Sequence, residues 1–176
     1  MLKTLRVKAE QGHADAQHRL GRMYAKGQDV PQSCAEAAKW YQMAAEQGQG
    51  EAQLRLGVMF DGGQGVPKSY TEAAHWLWLA AEQGGANAQF LLGAMYYKGQ
   101  GVSQDLARAH MWVNLAASRS QGDASEGPTR ARELFAERMP SDQLAEAQRL
   151  AGEWRPKTWA ELKTALETQS QQTTMA

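Results

Sequence analysis

Apolar residues in this chain recur with helical spacing. Between Asp15 and Lys26, the positions Ala16, Leu20, Met23 and Tyr24 are separated by four, three and one residues, which places them on one helical face. The spacing predicts a first helix of about three turns. Gly27 ends it, because a residue without a β-carbon takes the left-handed conformation that closes a helix. A loop follows over Gln28 to Gln32, stiffened by Pro31. Ala37, Trp40, Tyr41 and Ala44 then resume the i, i+3, i+4, i+7 pattern. They predict a second helix running to the turn at Gly48, antiparallel to the first because the connection is short.

The pair is one unit of a repeat. The string AEQG occurs at Ala9 to Gly12, Ala45 to Gly48 and Ala81 to Gly84, a period of 36 residues. The same step links Leu20, Leu56 and Leu92; Gly21, Gly57 and Gly93; Trp40, Trp76 and Trp112; and Ala44, Ala80 and Ala116. A period of this size is the mark of a solenoid, in which each unit buries its apolar face only against its neighbours. It also explains the glycine content, since 11 of the 17 glycines fall at recurring positions and punctuate the repeat. The mid-helix Gly21, Gly57 and Gly93 cost about 1 kcal/mol each against alanine. Their recurrence predicts the close approach of a neighbouring helix, under the indoles of the tryptophan series.

The pattern A-x3-LG-x-M-Y/F-x2-G-x-G/D-V-P, followed by A-x2-W-Y/L-x2-AAEQG, resembles the Sel-one-like repeat (SLR) family, relatives of the tetratricopeptide repeats. The match covers residues 9 to 117 in three tandem copies, the third with Ser103 in place of proline and Ser118 in place of glutamate. MPSDQLAEAQRLAGEW, Met139 to Trp154, resembles the closing helix of bacterial SLR proteins. The resemblance implies an all-α, right-handed superhelical solenoid of antiparallel helix pairs. It also implies work as a scaffold or adaptor that binds other proteins.

Both ends depart from the repeat. Residues 1–12 form a half-repeat or cap: Leu2 to Lys8 align with Ala38 to Ala44, but Thr4 stands at the tryptophan place. With Lys3, Arg6 and Lys8 around Leu2 and Leu5, this is either a natural cap or the cut end of a longer array. Three repeats occupy 13–120, capping helices 121–169, and a frayed tail 170–176. ASRSQGDASEGP reads as a loop. A helix is expected from about Thr129 to Arg138, and another after Ser141, whose hydroxyl can cap it. Leu144, Ala147, Leu150, Ala151 and Trp154 form its apolar stripe, and the pair is expected to cover the third unit. Thr158 and Glu161 have the spacing of a capping box for a last helix.

Charge then narrows the classes of function. Nineteen Lys and Arg balance nineteen Asp and Glu, and the pI is about 6.9. That argues against nucleic acid or an anionic membrane surface, which need a field of one sign. The longest apolar run, Trp76 to Ala81, is far short of the ~20 residues of a membrane span. MLKTLRVK carries no secretory pattern, so a cytoplasmic location is expected. Cys34 is the single cysteine. His13, His18, His75 and His110 have no metal-ligand spacing, and His75 and His110 read as surface or boundary residues. GGQGVPKS, Gly62 to Ser69, nearly matches a phosphate loop, but it follows a helix and recurs with the period, so it reads as an inter-helix loop. No cofactor and no metal are expected. Cysteine-rich relatives have been linked to β-lactam binding or hydrolysis, and this chain lacks their cysteines.

Binding is the better-supported class. Repeated residues pack, whereas first-helix residues that change between units are available to a partner. In related helix-pair solenoids these helices line the concave face. The candidates are His18 and Arg22 in unit one, Leu54, Val58 and Asp61 in unit two, and Phe90, Tyr97 and Lys98 in unit three. They predict a groove for a peptide or helix, polar and partly basic at one end and apolar at the other, with Leu54, Val58, Phe90 and Tyr97 as anchors. The plainer alternative has Leu54 and Phe90 packing against the neighbouring unit. The rival functions are a β-lactam-binding or hydrolase activity, and a structural fragment of a longer regulatory protein.

Overall fold

The computed structural model describes residues 2–174, which contain helices and no strand. A lone helix, α1 (Leu2–Glu10), precedes three pairs: α2 (Ala14–Lys26) with α3 (Cys34–Ala45), α4 (Gly50–Gly62) with α5 (Tyr70–Glu82), and α6 (Ala86–Lys98) with α7 (Leu106–Arg119). Each first helix packs on its own second helix, and each second helix packs on the first helix of the next unit. The product is an all-α helical solenoid. Local chemistry sets the helix ends in the same way each time. The first helices stop at Gly27, Gly63 and Gly99, each at φ 66°. The second helices start where Ser33, Ser69 or Asp105 accepts a backbone N–H three residues on, at 3.2, 3.3 and 2.9 Å.

The mid-helix glycines do face a neighbouring helix, but not the indoles expected above them. A β-carbon on Gly21 would lie 2.8 Å from the Tyr41 ring, on Gly57 2.8 Å from Leu77, and on Gly93 2.8 Å from Val113. The residue after each tryptophan fills the space, because it is the one that points back at its own first helix. The tryptophans join one unit to the one before. Trp40 packs on Ala9 and Leu20, Trp76 on the core around Ala37 and Leu56, and Trp112 on the core around Ala73 and Leu77.

A glutamine ladder runs through the turns. Gln17, Gln53 and Gln89 are buried and donate to the Ala9, Ala45 and Ala81 carbonyls at 3.0–3.1 Å. Gln47 donates to the Gln17 side-chain oxygen and Gln83 to that of Gln53, both at 2.7 Å. One period later stands Arg119, and the Gln89 Oε1 is buried without a partner among the described residues. The ladder thus ends where the repeat ends.

Beyond unit three, α7 continues to Arg119 and a 3-10 turn, Gly122–Ser125, leads into α8 (Glu126–Glu137). The helix therefore starts about three residues earlier than expected, with Pro128 in its first turn, where proline costs no hydrogen bond. α8 packs on α7 as α4 packs on α3. In α9 (Ser141–Glu153), Ser141 is the first helical residue and Pro140 holds the cap position, so the hydroxyl cap is not made. Leu150, Ala151 and Trp154 pack on the unit-three core. The chain then turns back along the units. The Lys157 N–H donates to the Glu82 carbonyl at 2.8 Å, and the Trp154 indole donates to the Glu82 carboxylate at 3.2 Å. The capping box closes α10 (Trp159–Thr174), with Thr158 N–H to Glu161 at 2.8 Å and Glu161 N–H to Thr158 at 3.3 Å. Leu162 is fully buried. Of the tail expected to fray, residues 170–174 are helical and 175–176 lie outside the described residues. No described helix is long and apolar enough to cross a membrane.

Candidate functional site

The repeat commits one side of each first helix to its partner helix, and the opposite side is left to solvent. Between α4 and α6, with α5 contributing to its wall, lies a recess of about 290 Å³. Val58, Leu91, Ala94 and Met95, with Leu77 and Tyr70 of α5, supply its apolar surface, and Asp61 and Lys98 stand at its edge. Val58 is 39% exposed. A second recess, about 400 Å³, lies at the other end of the same seam, where Glu51 and Leu54 face Ala88 and the Gln83–Gly85 turn.

The seam between α2 and α4 has different chemistry. His18 lies 5.8 Å from Tyr41, ring centre to ring centre, and Arg55 pairs with Glu51 at 2.7 Å. Burial holds the His18 imidazole below its ordinary pKa; Glu51 and Asp15 oppose this, and Arg22 and Arg55 add to it. Burial pushes the Tyr41 phenol up. Arg22 is exposed and makes no ion pair among the described residues.

The eight expected partner-binding residues fall into two groups. Arg22, Val58, Asp61 and Lys98 are exposed on the first-helix face. The other four lie on seams. Leu54 is only 8% exposed and packs in the core with Ala88 and Leu92 of the next first helix, so it is not available as an anchor. Phe90 is half-buried against Ala131 and Phe135 of α8. The Tyr97 ring stacks flat on Phe135 with centroids 4.2 Å apart, and Arg138 donates to its hydroxyl. His18 meets Tyr41 of its own unit's second helix, the two rings tilted by 35°. The cause is rotational: positions 18, 54 and 90 point along the solenoid toward the next first helix. At unit three α8 takes that place, so the expected apolar end of the groove is already covered.

Two residues escaped the sequence reading. Leu91 is one; its counterparts are Arg19 and Arg55, so the exchange of a charge for leucine at an outward position was a legible signal. Tyr41 is the other, a phenol where the next units have Leu77 and Val113. Of the histidines, His75 is exposed, but His110 is buried at 4% exposure, because α8 closes over α7 at that point. Gly62 to Ser69 joins α4 to α5 as expected. Among the described residues, no three side chains of metal-binding type come together.

The family model described as Sel1 repeat matches residues 14–49, 50–85 and 86–120. A crystal structure of a Sel1 repeat protein from Oxalobacter formigenes is similar at 37% identity and a TM-score of 0.66, covering 73% of this chain and 97% of that one. A protective antigen present in uropathogenic Escherichia coli strains, with an SLR fold, is similar at 30% identity and a TM-score of 0.55. The likeness covers 93% of this chain but 43% of the antigen, so this chain spans less than half of it. No curated protein gives a significant match. Sel1 repeat proteins generally mediate protein–protein interaction, and their fold is typically a non-catalytic scaffold. With three tandem copies on the expected period, the chain belongs to the Sel1 repeat family.

Proposed function

We propose that this protein is an interaction module that receives a segment of a partner protein across its first helices, without catalysis. The observation that carries the reading is the recess between α4 and α6, with Val58 and Leu91 accessible above Met95 and the opposite charges of Asp61 and Lys98 at its edge. An apolar centre ringed by charge is the usual anatomy of a protein interface. An aliphatic side chain of the partner would bury against Val58 and Leu91, and polar groups beside it would meet Asp61 and Lys98.

Val58→Asp tests this. The residue is exposed enough for folding stability to change by no more than about 0.5 kcal/mol, while an uncompensated charge in the recess opposes an apolar side chain. Peptides selected on the wild-type protein from a phage-displayed random dodecapeptide library should lose binding to Val58→Asp, with the thermal midpoint nearly unchanged. Undiminished binding overturns the assignment of the recess.

A further inference from the structure

Resting on that reading, we infer that the seam between α2 and α4 recognises an acidic side chain of the same bound segment, held by the Arg22 guanidinium and the Tyr41 hydroxyl beside His18. Three observations converge there. Tyr41 is only 3% exposed, yet its hydroxyl has no hydrogen-bond partner among the described residues and still reaches solvent. Arg22 follows Gly21, which lies under the Tyr41 ring, and stands one turn beyond His18, whose ring is 5.8 Å from that of Tyr41; it is committed to no carboxylate among the described residues, whereas Arg55 is already paired with Glu51. Asp15, the other acid of the group, lies about two turns back along α2 from Arg22. The packing task of this position does not require a hydroxyl, since Leu77 and Val113 cover Gly57 and Gly93 without one.

A carboxylate suits these donors. It accepts from a guanidinium in a charge-assisted hydrogen bond and from a phenol at once, and neither donor has to abandon a partner within the protein. The repeat also sets an order. Arg22 and Val58 hold the same place on adjacent first helices. One segment crossing both helices therefore presents the acidic residue to Arg22 and the aliphatic one to the Val58 recess. Binding gives His18 a further negative neighbour beside Glu51 and Asp15, which favours its protonated form against the burial and the two arginines that oppose it.

The test pans the whole chain against the dodecapeptide library and follows enriched peptides by fluorescence anisotropy. Expected peptides carry Asp or Glu together with Leu, Ile or Met. Arg22→Gln weakens them about tenfold, as does the amide in place of the peptide's acid. Tyr41→Phe keeps the ring over Gly21 and so keeps the fold, but it weakens binding several-fold and adds nothing once the peptide's acid is removed. Peptides with the aliphatic residue but no acid, lost by Val58→Asp and indifferent to Arg22→Gln, overturn this inference and leave the recess standing. Failure to enrich any peptide overturns both.

Discussion

The inner seams of the solenoid and the face beside α1 are built on the same loop with different residues. In units two and three the loop after the first helix holds Gly65 and Gly101 at φ 73° and 72°. They lie directly against the start of the previous unit's second helix. A β-carbon on Gly65 would be 2.3 Å from the Cys34 carbonyl carbon, and on Gly101 2.0 Å from the Tyr70 carbonyl oxygen. Unit one has Asp29 in this place, also left-handed at φ 59°. It faces a recess of about 710 Å³ bordered by Leu2, Leu5 and Met23. The left-handed conformation alone therefore tolerates aspartate, which is among the residues that enter it most readily. What demands glycine is the approach of backbone to backbone between units.

Gly101→Asp should have the largest effect, costing about 3 kcal/mol or more in urea denaturation, because the seam must open to admit the side chain. A loss below about 1 kcal/mol would mean that the seam is not closed by this contact. An intermediate effect is expected from pH at the opposite end of the array, where α8 closes over α7. His110 Nδ1 is buried there without a partner among the described residues, and burial, with Arg132 adding to it, holds its pKa below 6.5. The unfolded chain then binds the proton more readily, so stability is full above about pH 6.5 and declines as pH falls through the folded-state value. Half-buried His18 adds to this decline in the same direction. His110→Gln should flatten the loss between pH 7 and pH 5 in denaturant titrations, and an unchanged slope would remove His110 as its source. The smallest effect belongs to Asp29→Gly, within about 0.5 kcal/mol. A large gain or loss there would show that the α1 side depends on this loop as the inner seams do.

Much of the site was half legible. Val58, Arg22, Asp61 and Lys98 change between units and are exposed, as an argument from variation expects. Leu54, Phe90 and Tyr97 change as well, yet they vary because each meets a different neighbour. Leu54 meets Ala88 and Leu92, whereas Phe90 and Tyr97 meet Phe135 from a helix outside the period. Variation along a repeat marks freedom from the repeated contact, and that freedom serves a partner or a non-repeated helix equally well. Periodicity also could not say whether Trp40 or Tyr41 covers Gly21, since both fall on the apolar stripe and only the rotation of the helix separates them.

By itself, the sequence determined the helices, their pairing, the period of 36 residues and the family, because these follow from local spacing, turn chemistry and contacts between neighbours in a one-dimensional stack. Tertiary structure alone decided which first-helix side chains stay open. It placed α8 over Phe90 and Tyr97, buried His110, and left Tyr41 beside His18 with its hydroxyl unpartnered among the described residues. These outcomes depend on the angle at which one helix meets another, which hydrophobic spacing constrains only to a face, and on a C-terminal segment that follows no repeat.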